Sequence, residues 1–181
     1  MDEDLTRAAV AVLGEVGWDG LTLERVAEEA GRSRVTLWRN GITRESLLRG
    51  LLRRLAEDYR DAMLPVLTAA GTPRERLGRA MHALADVVDA HTDVLTVSDE
   101  MFHRAYEAGE VPMGFLDPFI AVIRDARAAG QLRGEAPDAE QADVLFNAVA
   151  WTYLHFRARH GWSATKARRL LFDTLIEGAL R

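Results

Sequence analysis

The chain has no cysteine, so neither a disulfide framework nor thiolate ligation of a metal is open to it. It has no apolar run long enough to span a bilayer, and its first residues, MDEDLTRAA, are acidic where a secretory signal would be basic and then apolar. A soluble, cytoplasmic protein with no membrane partner is the expectation. No stretch alternates apolar with polar residues as a half-buried strand does, and there is neither an internal repeat nor a low-complexity tract. A G-x-S-x-G elbow, a phosphate-cradling glycine loop and a cysteine nucleophile are all missing, so nothing positive supports an enzyme. What remains is an all-α chain of 181 residues, long enough for a small domain and a larger one.

The formal net charge is −5, which taken alone argues against a nucleic-acid partner. The sign is unevenly spread, however. Between Arg32 and Arg54 lie seven arginines against Glu45 alone, a local charge of +6 on an acidic protein. This basic stretch overlaps the most patterned part of the chain, TLERVAEEAGRSRVTLWRNGITRESL, residues 22–47. Thr22 can cap a helix whose Leu23, Val26, Ala27 and Ala30 share an apolar face. Gly31 suits a left-handed turn, and Ser33 can cap a second short helix. Two helices this close must cross steeply, with Leu37 plugging the second into the core. The polar residues of that second helix are then free to meet DNA. Arg34 can fork onto guanine, Thr36 can touch a thymine methyl or a phosphate, and Trp38, Arg39 and Asn40 can reach the backbone. An ordinary helical corner with a solvated basic face fits the turn alone equally well, and for Arg49, Arg53 and Arg54 it is the preferred reading.

The longer pattern decides between them. Residues 6–47 resemble the TetR-like transcriptional regulators, with Ala8 and Ala9 in helix 1, Gly17 and Trp18, Thr22, Ala30 and Gly31, Ser33, Thr36, Leu37 and Trp38, and then Thr43, Arg44 and Glu45. The resemblance implies an N-terminal three-helix helix-turn-helix DNA-binding domain, residues 1–48, joined by helix 4 to a C-terminal helical ligand-binding and dimerisation domain, residues 49–181. It implies a repressor released from a palindromic operator by a small-molecule effector. It also carries over Thr22, Arg34, Thr36, Trp38, Asn40 and Arg44 as DNA contacts, to which Ser33 and Arg39 are added from the helix itself. The chain departs from the pattern at Trp38, usually Tyr; at Asn40, usually His or Tyr; at Gly41, usually Phe; and at Arg32, usually a small apolar residue. Losing the Phe removes an apolar plug, and Trp38 could turn inward to replace it.

Along the chain, helix 1 is expected from about Leu5 to Val16, stopped by Gly17. Helix 4 follows Thr43 and should kink or end near residues 62–64, because Pro65 removes a hydrogen bond and crowds the preceding turn. Thr72-Pro73-Arg74-Glu75 is a capping box opening helix 5, with Leu77, Met81, Leu84 and Val88 buried. Helix 6 should run from about Asp93 to Ala108, helix 7 from Asp117-Pro118 to Gly130, helix 8 from a cap at Asp138 to Arg159, and helix 9 from Ser163 to the C-terminus.

Helix 8, DVLFNAVAWTYLHF, is apolar on almost every side, which in so small a chain implies a partner. The resemblance places helices 8 and 9 of two copies in a homodimer, with Leu145, Val149, Phe156, Leu171 and Leu175 as interface candidates. A twofold dimer also suits two reading helices set one turn of DNA apart. Aromatic and thioether residues abound in helices 5 to 8 and few polar groups accompany them, which suits a largely apolar effector. His82, Phe102, His103, Tyr106, Phe119, Asn147, Trp151 and His155 are the lining candidates. No metal and no cofactor is expected: Glu100-x-x-His103 occurs once, and the pairs His82/Asp86 and Asp99/His103 read as surface hydrogen bonds. A ligand- or partner-binding module without DNA binding is the alternative, and a helical-bundle enzyme is a more distant one.

Overall fold

A computed structural model describes residues 2–96 and 114–181. Among them the chain is helical throughout: α1 (Glu3–Gly20), α2 (Leu23–Glu29), α3 (Arg34–Arg39), α4 (Arg44–Thr68), α5 (Pro73–Ala90), α6 (described over residues 92–96), α7 (Asp117–Ala128), α8 (Asp138–Ala158) and α9 (Ala164–Ala179). One isolated bridge, Leu132 with Leu180, is the sole extended pairing among the described residues. The all-α expectation holds. Most of the helix 6 expected from the sequence lies outside the described residues, as do Glu100, Phe102, His103 and Tyr106.

Among the described residues the chain divides into two compact units, residues 2–57 with 91–96, and residues 58–90 with 114–181. In the first, Leu5, Ala9, Val12 and Leu13 of α1 are buried with Val26 and Ala27 of α2, Leu37 of α3, and Leu47, Leu48, Leu51 and Leu55 of α4. Helix α1 breaks at Gly17 as its sequence predicts, since that residue is at φ 68° and ψ −176°, but one further turn carries the chain to Gly20. Three helix starts follow from local chemistry. Thr22 accepts from Arg25 N–H at 3.3 Å, Ser33 from Thr36 N–H at 3.1 Å, and Thr43 and Ser46 cap each other reciprocally at 2.9 and 3.0 Å.

The second unit packs α5, α7, α8 and α9 around Leu77, Met81, Leu84, Phe119, Ile123, Val149, Tyr153 and Phe172. The capping box at Thr72 forms as its sequence predicts: Thr72 N–H donates to Glu75 at 2.8 Å, and Glu75 N–H donates back at 3.3 Å. Ser163 caps α9. Pro65 lies inside α4, which runs on past the ending expected near residues 62–64 to Thr68, where the Thr68 hydroxyl donates to the Leu64 carbonyl at 3.2 Å. Asp138 does not cap α8. Pro137 holds that position, and the Asp138 carboxylate instead takes Arg127 Nε at 2.7 Å.

A half-buried polar cluster ties α5, α8 and α9 together. The Asp89 carboxylate accepts from the Tyr153 hydroxyl at 2.7 Å, Arg157 Nε at 2.8 Å and Arg168 Nη2 at 2.8 Å, while Arg168 also pairs with Asp86 at 2.7 Å. Burial pushes the Asp89 carboxyl up, but the three donors outweigh it and hold the group below its ordinary value. A depressed carboxyl stabilises the fold fully above the ordinary 3.8 and loses that contribution as pH falls through the lower native value. Asp89→Asn should therefore lower stability at neutral pH by about 2 kcal/mol, less than a fully buried pair would lose because water reaches the cluster. It should also flatten the acid limb below about pH 4. Thermal melts of both proteins between pH 3 and 7 check this; parallel melting curves across that range would contradict it.

Candidate nucleic-acid interface

The interface is assembled by a turn and a short helix. Ala27 carbonyl accepts the Arg32 N–H at 2.8 Å, and Gly31 turns the chain at φ 63°, a conformation in which a side chain is strained. The next six residues after the Ser33 cap form α3, and of these only Leu37 is buried. Every other side chain of α3 is exposed: Arg34, Val35, Thr36, Trp38 and Arg39, followed by Asn40 at the C-cap. A helix held by one apolar plug with the rest of its surface in water is suited to entering a groove. Gly41, at φ 68°, allows the tight exit, and Ile42 N–H returns to the Leu37 carbonyl at 3.0 Å.

Trp38 is 74% exposed, so it does not fill the place of the missing apolar residue at Gly41. Its indole stands outward, where the N–H can donate to a phosphate. Thr22 and Ser33 are exposed, but the oxygens of both are engaged as helix caps, and Ser33 Oγ also lies 2.8 Å from Thr36 Oγ1. Arg34 pairs with Glu24 of α2 at 2.7 Å, which holds the guanidinium at the turn between the helices. The unexpected Arg32 bonds Asp2 at 2.6 Å and ties the turn to the start of the chain. That bond depresses the Asp2 carboxyl and raises the Arg32 guanidinium. Since Arg32 and Arg34 meet carboxylates from outside the basic stretch, counting charges along the sequence overstates the positive field there.

Arg44 is the residue whose placement differs most from a simple phosphate contact. Its guanidinium lies 3.9 Å over the Trp18 ring and donates to the Trp18 carbonyl at the end of α1, and its Nε is buried without a hydrogen-bond partner. Arg44→Ala should therefore lower the stability of this unit by about 1 to 2 kcal/mol in addition to any effect on DNA. Chemical denaturation followed by tryptophan fluorescence measures it, and an unchanged midpoint would contradict the assignment.

Of the effector candidates among the described residues, Asn147 and Trp151 meet each other on α8, and His82, Phe119 and His155 each meet other partners. Phe119 is buried, and its ring meets Phe146 edge-on at 5.9 Å. His82 packs edge-on against Phe172 at 5.0 Å in a groove of about 570 Å³ between α5 and α9. Asn147 bonds Asp143 and accepts the Trp151 indole N–H at 3.1 Å along α8, and His155 meets His160. The sequence reading missed an aromatic cluster, Tyr59 and Phe115 at 4.8 Å with Phe146 at 6.1 and 6.3 Å from them. Tyr59 donates to the Phe115 carbonyl, and burial pushes its hydroxyl well above the usual tyrosine range. Tyr59 shares the buried side of α4 with Leu48, Leu51, Leu52 and Leu55, and helical spacing gives no sign of the rings it meets.

Of the interface candidates, Leu145 and Val149 are buried within this unit of the single chain, with Val149 wholly inaccessible. Phe156, Leu171 and Leu175 are half-buried. The apolar residues these helices leave in water include Val144 at 69% and Leu170 at 42% exposure.

A capped turn that projects a short polar helix from a small helical domain is the geometry of a helix-turn-helix. Residues 5–49 match the family profile of the bacterial regulatory proteins, tetR family. Solved structures share the fold across nearly the whole chain. A TetR family transcriptional regulator, PfmR, from Thermus thermophilus superposes with a TM-score of 0.75 at 19% identity, covering 97% of this chain and 98% of that one. A putative fatty acid metabolism regulator of Clostridium perfringens gives 0.73 at 17% identity, covering 97% and 98%. The ketosteroid transcriptional regulator KstR2 of Mycobacterium tuberculosis gives 0.69 at 18%, covering 98% and 93%. No curated protein sequence matches the chain significantly.

Proposed function

We propose that this protein is a homodimeric transcriptional repressor that binds a palindromic operator through α3 and is released by a small, largely apolar effector. The observation that carries the DNA reading is α3 itself, buried at Leu37 alone and exposing Arg34, Thr36, Trp38, Arg39 and Asn40 on one short helix. Residues 1–48 act as the reading domain, and residues 49–181 bind effector and hold the dimer. The apolar effector is supported by the cluster of Tyr59, Phe115, Phe119 and Phe146, in which Phe115 and Phe146 are only half-buried and can present aromatic surface. Two relatives of the same fold are named for fatty acid metabolism and for ketosteroids, which agrees with an apolar class of ligand. Release requires only that the effector bind the non-reading state more tightly.

Acyl and polycyclic compounds screened by thermal shift test this. At a concentration about a hundred times its Kd, an effector adds about 2.7 kcal/mol to stability. The same compound must lower the affinity for operator DNA. Compounds that stabilise the protein and leave DNA bound would overturn the effector reading, and so would a broad screen with no stabiliser.

A further inference from the structure

The C-terminal end of α8 brings two imidazoles together. On a continuing α-helix, residues five apart point roughly 140° away from one another. Here the chain folds back instead: the backbone N–H groups of Arg159 and His160 both donate to the His155 carbonyl, at 2.9 and 3.3 Å, and Trp162 N–H donates to the Phe156 carbonyl at 3.0 Å. Gly161, at φ 61°, allows the reversal. The Nε2 atoms of His155 and His160 end 3.0 Å apart, with ring centroids at 4.7 Å and planes at 71°. The His160 ring is braced by Phe156 at 5.9 Å and Trp162 at 6.4 Å, and those two stack on each other at 4.2 Å.

Two imidazole nitrogens face each other this closely in two ways. Either one carries the proton and the other accepts it, or both direct lone pairs to a shared ion. We propose that His155 and His160 form a chelating site for a late first-row divalent metal ion, with Cu²⁺ held more tightly than Ni²⁺ or Zn²⁺. With metal–nitrogen bonds of about 2.0 to 2.1 Å, the observed separation gives an angle of about 95° at the ion, the cis angle of a square-planar or octahedral centre and narrower than the ~109° of tetrahedral zinc. Copper also heads the general order of affinity for nitrogen ligands. Both rings are exposed, so an ion reaches them without opening the core. Among the described residues no cluster of three or more His, Cys, Asp or Glu side chains is placed to hold a metal, so water completes the coordination here. The site stands independently of the DNA-binding reading.

Calorimetric titration of the untagged, chelator-stripped full chain with CuCl₂ or NiCl₂ alone tests the proposal, with His155→Gln and His160→Gln as variants and His82→Gln as control. One Cu²⁺ per chain is expected at this site. Changing an outer hydrogen-bond partner of a metal ligand already costs about 10- to 100-fold, so each ligand variant should lose at least about tenfold in affinity while His82→Gln binds as wild type. Electron paramagnetic resonance of the wild-type Cu²⁺ complex should show coupling to two imidazole nitrogens, a readout that needs no variant to fold. Undiminished binding in either ligand variant, or coupling to fewer than two nitrogens, would overturn the assignment.

Discussion

Arg34→Ala is expected to weaken operator binding by roughly 1 to 3 kcal/mol, on the order of ten- to a hundredfold, and to relax the sequence requirement at one base pair of each half-site. Arg34 has the planar fork that matches a guanine edge, it sits in the first turn of α3, and among the described residues it pairs with Glu24 at 2.7 Å. That pairing predicts a companion effect. Glu24→Gln should leave the guanidinium less constrained, so discrimination at the same base pair falls while binding to random duplex tightens, because a negative charge has left the vicinity of the phosphates. Fluorescence anisotropy with operator and single-base variants at fixed salt measures both. Equal losses on all sequences for Arg34→Ala would reassign the residue to the backbone.

The second large effect is expected from Val144→Glu. Val144 is 69% exposed in the single chain, so the variant should fold and melt like the wild-type monomer. If the outer faces of α8 and α9 meet a second copy, the same carboxylate becomes an unpaired buried charge, which costs several kcal/mol. The dimer should then weaken by at least about a hundredfold, since each 1.4 kcal/mol is tenfold. Analytical ultracentrifugation across a concentration series reads this. Val149, an interface candidate from the sequence, makes a poor probe because it is wholly buried in the chain itself, and a charge there would unfold the unit. A Val144→Glu protein that stays as dimeric as wild type would remove this face from the interface.

What could be read from the sequence was mostly what depends on neighbours along it. Thr22, Ser33, Thr72 and Ser163 mark helix starts because a cap is a contact with a residue three positions on, and Gly31 marks the turn because its backbone angle excludes a side chain. Contacts that cross the fold were not legible. Asp138 has the sequence of a cap, yet Arg127, eleven residues earlier, holds its carboxylate, and nothing near Arg44, a DNA contact by resemblance, points to Trp18 twenty-six residues before it. Helix α8 is apolar around much of its circumference, so periodicity could not divide its inner face, Leu145 and Val149, from the outer one bearing Val144. The effector candidates were chosen by residue type, and residue type does not place His82, Asn147 and His155 around one space.

The central claim is that α3 reads a palindrome from a twofold dimer, and selection from random duplex DNA tests it whatever the operator sequence is. Wild-type protein should enrich an inverted repeat whose half-sites are centred one helical turn apart or a multiple of it, ~10 to 10.5 base pairs per turn, with a guanine position lost when Arg34→Ala is used. Recovery of unrelated sequences, or enrichment that Arg34→Ala leaves unchanged, would contradict it.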